Sequence, residues 1–213
     1  MSIAVAVSGG ADSLLSLSLL QEQGQDPIAL HGFFLPPGPK ALKTRDRLQA
    51  LCRQLNVPFF SFDLSRPFKE LVIDPFLRSH ALGLTPNPCA SCNREIKFGL
   101  LLKQAEELGA DKLATGHYAC TATGPDQNPA LLRGQDPAKE QSYFLALLTR
   151  QQVSRAVFPL GSWRKQQVLK TLTDRGQAPP LKKESQEVCF IPDNDYRSFL
   201  EASGTTLSGP GPI

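Results

Sequence analysis

The chain has 213 residues, enough for one full domain and a small appendage, and its 41% hydrophobic and 20% charged residues are those of an ordinary soluble globular protein. No apolar run approaches bilayer-spanning length, and the N-terminus has neither a basic n-region nor a signal-cleavage pattern, so a cytoplasmic protein with no membrane partner is expected. A net charge of +3 argues against a globally basic nucleic-acid binder, and five cysteines, an odd number, argue against a secreted disulfide framework and for thiol, metal or redox chemistry.

Residues 3–7 are a near-continuous apolar run and read as a buried strand. Residues 12–23 place Leu14, Leu15 and Leu19 on one helical face, closed by Gly24. A second strand is expected over 28–34, ended by Pro36 and Pro37, then a helix over 41–55 from the spacing of Leu48, Leu51 and Leu55, then a third strand over 59–62. Strands alternating with helices predict βαβ units, hence an α/β fold with a doubly wound parallel sheet and helices on both faces. A helix is expected over 68–80, followed by the Pro-rich loop 82–92. Asn93 is the expected cap of the next helix, in which Ile96, Leu100, Leu101, Ala105 and Leu108 share a face, with Gly109 ending it. Residues 112–115 predict another strand, opening into "GHYA"; 121–135 a hairpin or loop; 141–170 helical pieces broken by Pro159 and Gly161; and 187–191 an extended segment holding Cys189. Residues 1–203 read as one catalytic domain, and the Gly/Pro-rich residues 204–213 as a linker-like tail.

The stretch "SGGADS", residues 8–13, sits between the first strand and the first helix. Its glycines let the backbone approach an anion closely, and the N–H groups and positive end of the helix face that anion. The Ser8 and Ser13 hydroxyls can donate to phosphate oxygens. Asp12 would repel bare phosphate and makes sense where it holds Mg²⁺. The stretch lacks the Gly-Lys-Ser/Thr of the Walker loop and the three glycines of the dinucleotide fingerprint; its structural alternative is a capping turn. Cys89-Ala90-Ser91-Cys92 is a CxxC motif, which in a cytosolic protein marks a metal or redox site. Cys92 adjoins the expected helix N-terminus, whose partial positive charge favours a thiolate. Two cysteines cannot complete a zinc site, and Cys189 in "SQEVCFIPD" is the third candidate. Cys52 reads as a core residue, and Cys120, His31 and His80 as structural. His117, in "ATGHYA", falls at a strand end, where ligands bind in open α/β sheets. Arg150, Arg155, Arg164, Lys165, Lys170, Arg175, Lys182 and Lys183, with Asp174 the one acid among them, form either a solvated face or a phosphate track.

The pattern SGGxDS after a first strand resembles the PP-loop of the N-type ATP pyrophosphatases, which split ATP between its α- and β-phosphates. Six segments in order, "SGGADS", "TPNPCASCNREIKFG", "LGADKLATGHYA", "LLRGQDPAKEQSYFL", "FPLGSWRKQQV" and "KKESQEVCFIPDNDYRSFL", resemble one branch of that superfamily, the tRNA-uridine 2-sulfurtransferases (MnmA/TrmU type). The resemblance implies ATP and Mg²⁺ bound by Ala6, Val7, Ser8, Gly9, Gly10, Ala11, Asp12 and Ser13, with Asp12 as metal ligand and Leu35 and Gly116 as further nucleotide contacts. It implies a wobble uridine of the tRNA anticodon flipped in beside Asn87, Pro88 and Cys89, its 2-carbonyl oxygen adenylated and then replaced by sulfur. Cys189 matches the persulfide-bearing cysteine, and Cys92 the partner thiol that releases the sulfur through a Cys92–Cys189 disulfide. His117, Lys139, Glu140 and Gln141 match tRNA contacts. A sulfur donor, either a persulfide relay protein or sulfide, is implied as a partner.

Some members of that family carry Asp where this chain has Cys89. Three thiolates, Cys89, Cys92 and Cys189, can hold a 4Fe-4S cluster with one open iron, a second route to sulfur that this cysteine pattern favours. The family continues beyond this C-terminus with domains that grip tRNA, so a separate tRNA-binding chain or domain is a further implied partner. The rival readings are the same adenylation directed at another RNA or a small molecule, and a nucleotide- or cluster-binding module that works with a partner.

Overall fold

In the computed structural model, which describes residues 2–181 and 188–204, β1 (Ile3–Ala6) is the middle strand of a sheet covered on both sides. Its alternation makes this possible: Ile3, Val5 and Val7 pack with Ala29 and Ala114 on one side, while Ala4 packs with Leu30 and Leu113 on the other. β2 (Ile28–Phe33), β3 (Phe59–Asp63), β4 (Lys112–Ala114) and the two-residue β7 (Ala156–Val157) complete the order β3-β2-β1-β4-β7, with every pairing parallel. The chain winds outward from β1 one way through β2 and β3 and the other way through β4 and β7. The doubly wound α/β expectation therefore holds, and the switch in winding falls between β1 and β4, where such sheets open a crevice. β5 (Ala119–Thr123) and β6 (Pro129–Arg133) form the expected hairpin as a separate antiparallel pair.

On one side of the sheet lie α1 (Ala11–Glu22) and α2 (Pro39–Gln54). The sequence suggests one apolar face for α1; instead it is buried nearly all round, because α6 (Lys165–Asp174) packs on its outer side. Leu17 and Leu20 face the sheet, while Leu14, Leu15 and Leu19 meet Val168 and Leu172 of α6. The interleaved serines are tolerated because their hydroxyls are satisfied: Ser16 Oγ donates to Asp12 O at 2.8 Å and Ser18 Oγ to Gln177 Oε1 at 3.2 Å. Cys52 lies in the α2 core, as expected, where burial pushes its thiol pKa up to about 11.

The other side carries two long helices, α3 (65–81) and α4 (88–107), each with a π-wound middle, Lys69–Ile73 and Cys92–Leu101. The widened turns broaden the apolar stripe of α4 beyond its expected face. Phe98 and Leu102 are buried with Ile96, Leu101 and Ala105, whereas Leu108 is exposed. α4 also begins earlier than expected. Asn87 caps it, accepting from Ala90 N–H at 3.1 Å with Pro88 at the first position, so Asn93 lies inside the helix. Residues 141–170 split into a 3-10 turn (Ser142–Leu145), the capped α5 (Arg150–Arg155) and β7. Residues 188–191 form a turn rather than an extended segment, with Ile191 N–H donating to Val188 O at 3.1 Å. α7 (Tyr196–Ala202) follows. Glu187 and residues 205–213, most of the expected tail, lie outside the described residues. Among the described residues no helix is long and apolar enough to cross a membrane.

His31 is buried in β2, its Nδ1 2.8 Å from Val7 O, a structural placement as expected. Burial holds its imidazolium pKa below the ordinary 6.5; the Val7 carbonyl opposes this and the Arg45 charge adds to it. The unfolded chain gains a proton on His31 below about pH 6.5 while the folded chain resists it. Stability contributed by the neutral ring is therefore complete above that pH and lost below it. The urea midpoint should fall between pH 7 and pH 5.5, and His31→Gln should flatten that fall; equal slopes in the two proteins would rule this out.

Candidate active site

The 8–13 loop leaves β1 and enters α1 at the switch between β1 and β4. Gly9 has φ +92°, a left-handed conformation that a side chain would strain. Gly10 is the N-cap and has no side chain to satisfy the first-turn N–H groups, so these are available to an anion. The loop is braced from within: Ser8 N–H donates to Ser13 Oγ at 3.2 Å, and Ser13 Oγ donates to Gly10 O at 3.0 Å. From the β4 side, Gly116 lies against this loop so tightly that a Cβ there would fall 2.8 Å from the Asp12 carbonyl carbon and 2.9 Å from Ser13 N. Leu35, 42% exposed, follows the end of β2.

Asp12 is held from two directions. Lys165 Nζ and Tyr118 Oη each lie 2.7 Å from Asp12 Oδ1. Lys165 is the first residue of α6, and its backbone N–H donates to Asp136 Oδ2 at 2.8 Å. Burial, then the Asp12 carboxylate, push the Tyr118 hydroxyl pKa far up, so this phenol stays protonated and donates. A carboxylate beside two serine hydroxyls at a helix N-terminus is a hard-oxygen donor set, of the kind that shares Mg²⁺ with phosphate oxygens. Asp12, Ser8 and Ser13 thus fit the metal.

The cysteines meet at the N-terminal turn of α4. Cys92 lies near enough to Cys89, Cys189 and Lys97 to feel the charge of each, and all three thiols are free. Cys92 is not the expected thiolate. It is only 8% exposed, and burial pushes its pKa up to about 12, outweighing both the helix end and the opposing Lys97 charge. Burial also raises Cys89 and Cys189, with Lys97 opposing. Cys189 is exposed, held there because its neighbour Phe190 is plugged into the core, ring centroids 5.8, 5.3 and 5.5 Å from Phe68, Phe76 and Phe199. Among the described residues no three His, Cys, Asp or Glu side chains are grouped closely enough to share a single metal ion.

His117 links the two halves of the site. It follows Gly116, its Nδ1 is 2.7 Å from Thr115 Oγ1, and its ring meets Phe158 edge-on at 6.1 Å. Burial, with the Lys97 charge adding, holds its pKa well below 6.5, so the ring is neutral. Lys139, Glu140 and Gln141 run beside it: Gln141 N–H donates to Tyr118 O at 3.0 Å, and Gln141 Oε1 accepts from Tyr118 N–H at 3.1 Å. Asn93 Nδ2 donates to Phe144 O at 2.7 Å, which ties the cysteine helix to the same segment, while its buried Oδ1 has no hydrogen-bond partner among the described residues.

The family described as "tRNA methyl transferase HUP domain" matches residues 1–193. The chain belongs to this family. Relatives described as "tRNA-specific 2-thiouridylase MnmA" match it from Nitratidesulfovibrio vulgaris strain Miyazaki F at 51% identity, over 100% of this chain and 62% of the relative. Others match from Oleidesulfovibrio alaskensis at 49%, over 100% and 62%, and from Geobacter metallireducens at 44%, over 93% and 57%. The chain spans about three-fifths of the length of these relatives.

Within this HUP domain the structure brings together most of what the sequence marks for a role, with Gly116 and His117 joining the glycine loop to the cysteine helix. It also adds residues that sequence reasoning missed. Lys165 and Tyr118 stand 153 and 106 positions from Asp12, and only "FPLGSWRKQQV" and "ATGHYA" hinted at their segments. The basic run is not one free track: Arg155 pairs with Glu106, Lys165 with Asp12, Lys170 with Asp174 and Arg175 with Glu22. Lys182 and Lys183 lie outside the described residues.

Proposed function

We propose that this chain is the catalytic domain of an ATP-dependent, cytoplasmic tRNA sulfurtransferase that converts the wobble uridine of an anticodon to 2-thiouridine, releasing AMP and pyrophosphate. One observation carries the reading. A phosphate loop with a carboxylate lies against Gly116, and the next residue, His117, senses the same Lys97 charge that reaches Cys89, Cys92 and Cys189. The relatives' names support it from outside the geometry.

The residues divide the work as follows. The 8–13 loop binds the ATP phosphates, and Gly116 and Leu35 border the nucleotide. Asp12 would hold Mg²⁺, whose charge assists departure of pyrophosphate when it is bound with ATP. Asn87, Pro88 and Cys89 line the flipped base, and neutral His117 with Lys139, Glu140 and Gln141 contact the tRNA. Cys189, the exposed cysteine, takes up the outer sulfur of a donor protein's persulfide, and the donor's thiol is released. The persulfide's terminal sulfur attacks C2 and AMP leaves. Cys92 then attacks Cys189 Sγ, the sulfur–sulfur bond to the base breaks with its electron pair on the new 2-thio group, and an external thiol reduces the resulting Cys92–Cys189 disulfide. The persulfide route is preferred because Cys189 and Cys92, one exposed and one buried and near enough to sense each other's charge, form by themselves the thiol pair that it needs. A tRNA-binding chain or domain would complete the assembly.

The test is anaerobic incubation with unmodified tRNA, ATP, Mg²⁺ and a persulfide or sulfide source, followed by nucleoside mass spectrometry and iron analysis. The expected result is 2-thiouridine matched by AMP, with no iron required. AMP release with the uridine unchanged would move the reading to another acceptor. Activity that tracks about four irons per chain would restore the cluster route.

A further inference from the structure

We infer that Lys97 is the resident cation of the thiol site: the π-winding of α4 carries it onto the face that bears Cys89 and Cys92, where its charge steadies the negative sulfur that forms whenever sulfur changes hands. The inference rests on the proposed sulfur chemistry and deepens it, since it adds a residue that acts on the thiols through its field.

Cys89 and Cys92 are three residues apart and share one face of the helix. In an α-wound helix Lys97, five residues beyond Cys92, would stand about 140° round from it. From Cys92 to Leu101 the helix is instead π-wound, with bonds that reach back five residues, as Leu102 N–H does to Lys97 O. Such winding lays each residue nearly over the one five before it, so Lys97 returns over Cys92. Half-buried there, it acts by its charge on Cys92 and Cys89 of its own helix, and on Cys189 and His117 from other elements. Among the described residues no carboxylate forms an ion pair with it.

The winding is held in place by two further residues. At Gly99 a Cβ would fall 3.0 Å from Arg94 O, five residues back, so this position is kept free of a side chain. Gln152 of α5 reaches across, its Nε2 donating to Arg94 O at 2.8 Å and to Phe98 O at 3.0 Å. Its Oε1 accepts from Thr149 N–H at 3.0 Å in the capping box of α5, so the side chain that pins the wide turns is itself fixed at its other atom. Sulfur uptake shows what the cation does. The Cys189 sulfur, as thiolate, attacks the outer sulfur of the donor's persulfide. The donor's sulfur–sulfur bond breaks with its electron pair on the donor sulfur, which takes up the proton that Cys189 gave up. Negative charge is spread over the sulfurs throughout, and a fixed ammonium near them lowers its cost. Attack by Cys92 makes the same demand at a more enclosed place, where an uncompensated charge costs more.

The test reads the field at the thiols with small disulfides of opposite charge. The full chain is treated at low ionic strength with anionic dithiodiglycolate, neutral 2-hydroxyethyl disulfide and cationic cystamine. In each case the cysteine keeps one half as a mixed disulfide and the other half leaves as a thiol; the rate at Cys189 is followed by peptide mass spectrometry. The quantity compared is the ratio of anionic to cationic rates within one protein, in which any change in the thiol's own ionisation or exposure cancels. Lys97→Met should lower this ratio by about tenfold, and added salt should erase most of the difference. Lys97→Arg keeps the charge and should keep the parent's ratio. Gly99→Ala should lower the ratio with Lys97 still in the chain, because the added methyl disfavours the π-wound turn. A parental ratio in Lys97→Met would overturn the inference and leave the sulfur path standing. A parental ratio in Gly99→Ala would overturn the role given to the winding. Failure of the parent's Cys189 to react with any of the three disulfides would instead overturn the thiol reading, and this inference with it.

Discussion

Cys189→Ser is expected to reduce 2-thiouridine formation by at least about a thousandfold, with ATP binding unchanged. Cys92→Ser is expected to stop the reaction later, after sulfur has joined the base. The two cysteines differ in their surroundings, and that difference makes the outcomes separable. Cys189 is an exposed residue at a turn whose next residue, Phe190, is locked among Phe68, Phe76 and Phe199, so it is held on a fixed base and is less enclosed than Cys92. Cys92 is enclosed, with a thiol pKa pushed up to about 12, so it is neutral at pH 7 and poorly nucleophilic until substrate binding changes its surroundings. Iodoacetamide should accordingly alkylate Cys189 before Cys92, read by peptide mass spectrometry. With Cys92→Ser, a covalent adduct between the chain and the tRNA should accumulate and dissolve on adding dithiothreitol. Without Cys189 no adduct should form. Normal turnover by either variant would remove that cysteine from the sulfur path, and faster alkylation of Cys92 would show that its enclosure is not maintained in solution.

These assignments show where the sequence was legible. The β1–loop–α1 unit could be read because each part has a local cause: a strand-length apolar run, glycines at a turn, an acid in the first turn of a helix. The hairpin of β5 and β6 and the core role of Cys52 were also legible from local composition. The thiol state of Cys92 was not, because the helix end is visible in sequence and the enclosing side chains are not. The apolar face of α4 was read through Ile96, Leu101 and Ala105, but it also takes in Phe98 and Leu102, which a 3.6-residue period does not anticipate across π-wound turns. β7 escaped because two residues have no period, and it exists only through its pairing with β4. The contact of Lys165 with Asp12 spans most of the chain, so its charge could be counted with the basic run but not located.

Asp12→Ala should abolish release of AMP and pyrophosphate while leaving metal-free ATP binding intact or tighter. The reason lies in what the carboxylate holds. Its loss would remove the proposed metal ligand, and metal stabilisation of a departing phosphate is worth several kcal/mol, so at about 1.36 kcal/mol per tenfold the rate should fall roughly 10²–10³-fold or more. The same change removes the carboxylate that Lys165 Nζ meets at 2.7 Å, so less negative charge faces the incoming phosphates. The variant should therefore bind ATP with little dependence on Mg²⁺, where the parent depends on it strongly. Asp12→Asn separates the two effects. It can still accept from Tyr118 through its amide oxygen, so the local structure survives, but it is a poor metal ligand and carries no negative charge. A pyrophosphate-release assay with calorimetry in magnesium and in chelator reads both quantities. Full turnover by Asp12→Ala would exclude this carboxylate as the metal ligand. An unchanged dependence of ATP affinity on Mg²⁺ would place the ion elsewhere.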